Sequence, residues 1–131
     1  MQEVKEFLQK YHVFYVATVE GNQPRVRPYG AVAEVDGKLY ICTNNTKPSF
    51  AQMKANPRIE ICSLGENGQW LRLAATATPD PRPEVKAAVL EQCPSLKSLY
   101  RVDDGIFEVL ALSDCTASFC TLSGAPRVVK F

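Results

Sequence analysis

Three short turn sequences, each between runs rich in β-branched and aromatic residues, constrain the fold of this chain more than any other feature. The segments "EGNQP" at 20–24 and "GENG" at 65–68 supply the glycine and asparagine that tight turns need, and Asp36-Gly37 is a strong hairpin signal. Because turns this short join antiparallel neighbours, the chain is predicted to contain an antiparallel sheet.

The runs that flank these turns predict six or seven strands. They are expected in "VFYVATV", 25–33, 38–43, 58–64, 69–79 and 105–120, with an edge strand near "RVVKF". We expect the strand at 25–33 to pair with the strand at 38–43. Alternation of apolar and polar residues along 69–79 predicts one buried face and one exposed face.

Three short helices are predicted within "QEVKEFLQKYH", "PSFAQMKANP" and "PRPEVKAAVLEQCP". The first has apolar residues at spacings of three and four, and prolines limit the other two. Together the elements predict an α+β fold, a small closed barrel of antiparallel strands covered by short helices, as a single domain over residues 1–131.

The charge balance excludes several classes of partner. Fifteen basic and fourteen acidic residues give a net charge of +1, so no long-range field favours nucleic acid or a membrane surface. The N-terminal "MQEVKEFLQKYH" lacks the apolar run of a signal peptide, and we therefore expect a cytoplasmic protein.

Side-chain catalysis and metal binding have little support in the sequence. The five cysteines form no C-x-x-C pair, and we expect them to be reduced residues of the core rather than metal ligands. His12 is the only histidine, and no Ser-His or Cys-His combination is evident. We assign no catalytic side chain and no metal site.

A polar segment joins a predicted strand to the second helix. Thr43, Asn44 and Lys47 precede Pro48, where the unpaired N–H groups of a helix begin. Hydroxyl, amide, ammonium and backbone donors in this order can surround a phosphate. The alternative is that the same residues only form the turn and cap the helix.

Two further features favour binding of an anionic, aromatic ligand. Arg25 and Arg27 share one face of a strand, and a guanidinium can bind a phosphate through two hydrogen bonds. Trp70 and Arg72 share a face of another strand, and an indole offers a flat surface for a ring system. Each feature has a plainer alternative: charges that protect an exposed strand, and a tryptophan of the core.

The order of these segments resembles the FMN-binding split-barrel family typified by pyridoxamine 5'-phosphate oxidase, and most closely its short, nitroimidazole-reductase-type members. The resemblance rests on "QPRVRP", "KLYICTNNTK", "AQMKANPRIEIC" and "GQWLRL". It implies a split β-barrel rather than a fully closed one. It also implies a homodimer with two FMN sites at the interface between its protomers.

The resemblance assigns roles to individual residues. Arg27, Thr43 and Lys47 would hold the FMN phosphate, with Asn44 in the same turn. The backbone of Arg25, Val26, Arg27 and Pro28 would run beside the isoalloxazine ring, and Gln69, Trp70 and Arg72 would reach the flavin from the partner protomer.

The activity that the resemblance implies is FMN-dependent oxidoreduction of a small organic substrate, and we expect a nicotinamide or another reductant as the electron donor. The C-terminal Arg-Leu-His-Asp-Arg segment of true pyridoxamine phosphate oxidases has no counterpart in "GAPRVVKF", so we do not expect that substrate. Two alternatives remain open: a flavin-binding or flavin-sensing protein without turnover, and a split barrel that holds a deazaflavin or heme.

Overall fold

The computed structural model describes all residues from 1 to 131 as eight strands and three α-helices. The helices are α1 (Gln2–Tyr11), α2 (Pro48–Ala55) and α3 (Pro83–Gln92), and a 3₁₀ helix follows at Pro94–Ser98. The strands are β1 (Phe14–Glu20), β2 (Gln23–Tyr29), β3 (Val32–Val35), β4 (Lys38–Asn44), β5 (Arg58–Leu64), β6 (Trp70–Asp80), β7 (Phe107–Cys120) and β8 (Arg127–Lys130).

All strands belong to one antiparallel sheet in the order β2-β1-β5-β6-β7-β4-β3, with β8 paired to β7. The two ends of this path, β2 and β3, are not hydrogen-bonded to each other. The predicted α+β split-barrel fold is therefore confirmed, whereas the prediction of a fully closed barrel was wrong. The sheet is open between β2 and β3, and this opening positions the candidate site.

The opening exists because the predicted strand at 25–33 is two strands. β2 pairs with β1 along its whole length, from Phe14 opposite Tyr29 to Glu20 opposite Gln23, and β3 pairs with β4. The predicted pairing of 25–33 with 38–43 was thus wrong for residues 25–29. Pro24 and Pro28 lack the N–H that a second neighbour would need, which explains why β2 is an edge strand.

The predicted turns are confirmed and fix the register of their hairpins. Asp36 and Gly37 have φ values of 51° and 77°, as a two-residue turn between β3 and β4 requires. Gly21 has a φ of 62° at the turn between β1 and β2, a conformation that suits glycine.

Two apolar clusters stabilise the sheet. The larger has 19 buried residues and lies against α1 and α2, while the smaller has 7 and packs α3 beside β3, β4 and β7. Along β6 the buried residues Leu71, Leu73, Ala75 and Ala77 alternate with more exposed ones, as predicted. No helix of the structure is both long and apolar enough to cross a bilayer.

The cysteines are all unpaired, but they are not all core residues. Cys115 and Cys120 are buried, and Cys42 and Cys93 are half-buried. Cys62 is exposed, so the prediction that it belongs to the core was wrong. It lies opposite Arg72 in the β5–β6 register, on the outward face of the sheet, although the run "RIEICSL" around it is largely apolar.

Candidate functional site

A cavity of about 320 Å³ lies where the sheet is open. One wall comes from β2 and the residues after it, 27–31, and another from Cys42 and Thr43 of β4. Lys47, just before α2, and Ser49 in its first turn also line the cavity, and the 3₁₀ helix with the two residues after it forms the remaining wall. The cavity therefore depends on the separation of β2 from β3.

Arg27 lines this cavity and is held from behind by the protein. Its Nη1 donates to the Thr18 hydroxyl at 2.7 Å and to the Val16 carbonyl at 3.3 Å, and its Nη2 donates to Gln52 Oε1. The Thr18 hydroxyl also donates to Gln52 Oε1, at 2.6 Å. These hydrogen bonds fix the guanidinium in place. Because the partners are neutral, its positive charge is not compensated by a carboxylate.

The charged side chains of this cavity are both cations, Arg27 and Lys47. Neither takes part in any of the protein's salt bridges. The buried Thr43 adds a hydroxyl, and α2 begins at Pro48 without a side-chain cap on its free N–H groups. Positive charge and donors of this kind suit a small polyanion such as a phosphate.

The residues of the polar segment before α2 have two different roles. Asn44 Oδ1 accepts the Thr46 N–H at 3.1 Å, and Asn44 Nδ2 donates to the Tyr100 hydroxyl at 2.9 Å. Asn45 is likewise bonded within the protein, to Gly105 and Glu108. The turn-forming interpretation thus describes Asn44 and Asn45, whereas Thr43 and Lys47 line the cavity.

The other predicted residues of β2 lie differently from Arg27. Arg25 is exposed and donates to Glu20 Oε1 through Nε at 3.2 Å and Nη2 at 2.9 Å. Val26 points away from the sheet interior and is 67% exposed. Pro28 lines the cavity beside Arg27. The structure therefore brings together Arg27, Pro28, Thr43 and Lys47.

Gln69, Trp70 and Arg72 do not line this cavity within one protomer, and they lie well along the sheet from it. Thr43 lies opposite Glu108 of β7, whereas Trp70 lies opposite Cys120, twelve residues further along the same strand. At about 3.3 Å per residue this corresponds to roughly 40 Å of strand. Gln69 and Trp70 instead line a second cavity of about 340 Å³.

Arg72 is paired on the surface rather than free. Its Nη2 donates to both carboxylate oxygens of Glu60 at 3.0 Å. Hydrogen bonding to Glu60 raises the pKa of this guanidinium further, so Arg72 stays charged. Trp70 is half-buried at the edge of the second cavity, which leaves part of its indole accessible.

Sequence reasoning missed the residues that hold Arg27 and the residues of the far wall. Gln52 and Thr18 are buried polar residues, and a glutamine beside the buried Met53 on the inward side of α2 was the available signal. Tyr100 and Leu96 approach the cavity from a segment more than fifty residues away from Asn44, and no local pattern marks them.

Cys42 is the thiol that lines the cavity, and its environment makes it unreactive. Burial raises the pKa of Cys42 to about 12, with the neighbouring Cys93 adding to the shift and Lys47 opposing it. A thiol with such a pKa is neutral near pH 7 and is a poor nucleophile. The cavity thus offers binding groups rather than a side-chain nucleophile.

Comparisons with known proteins agree with this geometry. A family model described as pyridoxamine 5'-phosphate oxidase matches residues 1–105. A NimC/NimA family protein from Clostridium acetobutylicum is 49% identical, with a TM-score of 0.96 over 100% of this chain and 92% of that chain. No curated protein matches the chain.

More distant structures share the fold alone. General Stress Protein 26 from Bacillus anthracis str. Sterne is 16% identical, with a TM-score of 0.77 over 99% of this chain and 97% of that chain. A heme binding protein from Mycobacterium smegmatis is 17% identical, with a TM-score of 0.76 over 98% of this chain and 56% of that chain. From the family match and the 49% identity together, the chain belongs to the pyridoxamine 5'-phosphate oxidase-like split-barrel family.

Proposed function

We propose that this protein binds FMN in the cavity between β2 and β4 and uses it for oxidoreduction of a small organic substrate. The observation that carries the proposal is the pairing of two uncompensated cations, Arg27 and Lys47, in one cavity of the split barrel. The family, whose members bind flavin or heme, gives the ligand its class.

The residues of the cavity fit the phosphate end of FMN. Arg27 and Lys47 would neutralise the dianion, and the Thr43 hydroxyl and the N–H groups of the first turn of α2 would donate to its oxygens. Thr18 and Gln52 would keep Arg27 oriented before the ligand arrives, which lowers the entropic cost of binding.

The chemistry that FMN supplies when bound is electron transfer between a reductant and an organic acceptor. The chain's own part is to bind and orient the flavin and to limit water around it. The half-buried, neutral Cys42 and the apolar Leu96 would form the least polar part of the cavity wall. We assign no proton transfer to a side chain.

A homodimer belongs to this proposal because one protomer does not bring its two groups of predicted residues together. Gln69, Trp70 and Arg72 can approach the cationic cavity only from a second copy of the chain. Tyr15, Val26 and Leu64 are exposed apolar side chains on β1, β2 and β5 that an interface would cover. We expect a sedimentation mass of two chains at micromolar concentration with FMN, and a mass of one chain would contradict the dimer.

A cytoplasmic location is part of the same proposal. All five cysteines are unpaired, including the exposed Cys62, and thiols remain reduced in the cytosol. A nicotinamide donor would also be available to the flavin there.

The absorption spectrum of the purified protein tests the ligand, and anaerobic reduction by NADH or NADPH tests the activity. A flavin spectrum with bleaching by the donor would support an oxidoreductase. A flavin spectrum without reduction or turnover would instead support a flavin-binding protein. A Soret band would overturn FMN in favour of heme, although His12, the sole histidine, is absent from the residues that line the cavity.

A further inference from the structure

Tyr100 lines the same cavity as the cationic residues Arg27 and Lys47, and the protein fixes it at three points. Its N–H donates to the Leu96 carbonyl at 2.9 Å, and its ring stacks on Phe107 with the centroids 5.0 Å apart. Its hydroxyl is bonded to Asn44 Nδ2 at 2.9 Å. A tyrosine held in this way is preorganised rather than mobile.

The direction of the hydrogen bond between Asn44 and Tyr100 follows from the turn. Asn44 Oδ1 accepts the backbone N–H of Thr46, which can only donate. The amide nitrogen of Asn44 must therefore face Tyr100, and an amide nitrogen only donates. The phenolic oxygen is the acceptor, and its own proton has no acceptor among the side-chain bonds of the protein.

This unused donor lies beside the proposed phosphate site. The Tyr100 oxygen is 2.9 Å from the side chain of Asn44, the residue after Thr43 in the turn that also carries Lys47. Tyr100, Thr43 and Lys47 line the same cavity. A phosphate bears only acceptor oxygens at its anionic end, so a free phenolic proton complements it.

We propose that Tyr100 is a ligand-binding residue whose hydroxyl donates to an oxygen of the flavin phosphate, with Asn44 as the residue that positions it. The inference rests on the proposed FMN function and adds a hydroxyl donor to the groups of Arg27, Thr43 and Lys47 that line the same cavity. Asn44 then acts through Tyr100 and does not itself contact the ligand.

The test compares FMN with riboflavin, which lacks the phosphate, in the flavin-free parent and in Tyr100→Phe. Phenylalanine keeps the ring on Phe107 and removes only the hydroxyl. We expect FMN affinity to fall about tenfold and riboflavin affinity to change less than about twofold. Tyr40→Phe is the matched control, since the Tyr40 hydroxyl donates to Asp80 at 2.9 Å and does not line this cavity.

The outcomes separate this inference from the proposed function. A parent that prefers FMN over riboflavin supports the function, and unchanged FMN affinity in Tyr100→Phe would then overturn the role of Tyr100 alone. Equal losses for both flavins would also overturn it. A parent that binds neither flavin overturns both proposals.

A crystal structure of the parent with FMN gives a second measurement that needs no variant. A distance below about 3.0 Å between the Tyr100 hydroxyl oxygen and a phosphate oxygen supports the inference, and a distance above about 3.5 Å overturns it.

Discussion

The cavity between β2 and β4 and a third cavity, at the end of β6 beside Asp80, are similar in size, about 320 and 360 Å³, and an arginine lines each of them. In this third cavity Arg82 donates to both carboxylate oxygens of Asp80 and lies 4.0 Å from Asp36. In the first, Arg27 is bonded to the neutral groups of Thr18, Val16 and Gln52. The charge of Arg82 is thus compensated by carboxylates of the protein, whereas Arg27 is held in orientation without a compensating carboxylate.

This difference distinguishes Arg82, a structural cation that is paired within the protein, from Arg27, a cation that is free to bind a ligand. The Asp80–Arg82 pair joins the end of β6 to the start of α3, and the Tyr40 hydroxyl completes it from β4. Its charges are satisfied within the protein. Arg27 and Lys47 have no such partner, so their charge is available to an external anion. Exposure and cavity size alone would not distinguish the two sites.

The largest expected effect tests this comparison directly. Arg27→Ala should weaken FMN binding about ten- to a hundredfold, because a charge-assisted contact contributes about 1.5 to 3 kcal/mol. Lys47→Ala should act in the same direction. Riboflavin binding should change little in either variant, as measured by flavin fluorescence titration.

Arg82→Ala is the matched control for Arg27→Ala. It removes a guanidinium beside a cavity of similar size, but one that Asp80 already neutralises, so FMN affinity should equal that of the parent. Equal FMN affinity in the parent, Arg27→Ala and Lys47→Ala would mean that the turn before α2 is only a turn.

Stability at acid pH tests the structural cation. Hydrogen bonding from Arg82, with help from Tyr40, lowers the pKa of Asp80 from 3.8 to about 2 against the opposing effect of burial. A lowered folded-state pKa stabilises the protein above the unfolded value, and this contribution is lost as the pH falls from about 4 to 2. Solvent around the half-exposed Arg82 limits it to about 1 to 2 kcal/mol.

Asp80→Asn should therefore lower the free energy of urea unfolding by about 1 to 2 kcal/mol at pH 6 and by much less near pH 2. FMN affinity at pH 6 should not change. A variant whose stability deficit persists undiminished at pH 2 would show that the Asp80 charge is not what stabilises this corner.

Removing a residue that orients Arg27 should have a smaller effect on FMN affinity. Gln52→Leu removes the acceptor of Arg27 Nη2 while keeping a side chain of similar size, and FMN affinity should fall about threefold to tenfold through loss of a hydrogen bond worth about 1 kcal/mol. Gln92→Leu is the control, because Gln92 makes two hydrogen bonds to the backbone of Glu34 outside the cavity. Equal losses in both variants would point to general destabilisation.

The smallest effect concerns Arg72, a paired cation that the family resemblance places near the partner's flavin. Because Glu60 already neutralises it, Arg72→Ala should weaken FMN binding at most about threefold and should cost less than about 1 kcal/mol of stability. A loss of FMN affinity as large as that of Arg27→Ala would contradict the distinction between paired and unpaired cations.

Much of the fold could be predicted because its determinants are local. Asp36-Gly37 and the other glycine turns define hairpins within a few residues, and the alternation along β6 marks its buried face. The predictions of a closed barrel and of one long strand at 25–33 were wrong. Which strands pair depends on residues that are distant in sequence, and local patterns reveal it only in part. Pro24 and Pro28 carried the relevant information, since a strand with two prolines suits an edge.

The candidate site was predictable only in part, for a related reason. Residue type marked Arg27, Thr43 and Lys47 among other candidates, the family resemblance assigned them to the phosphate, and they do line one cavity. The uncompensated state of their charges, the partners Thr18 and Gln52, and the approach of Tyr100 were not predictable, because each depends on which side chains meet across the fold.

The sequence by itself determined the antiparallel α+β architecture, the positions of its hairpins and the presence of cations within β2 and before α2, since turn chemistry and periodicity act over a few residues. Only the tertiary structure decided that β2 and β3 leave the sheet open, that Arg25 and Arg82 are paired, and that Arg27 is not. Ion pairing and cavity formation are long-range properties, because they depend on distances between residues that the chain brings together only when it folds.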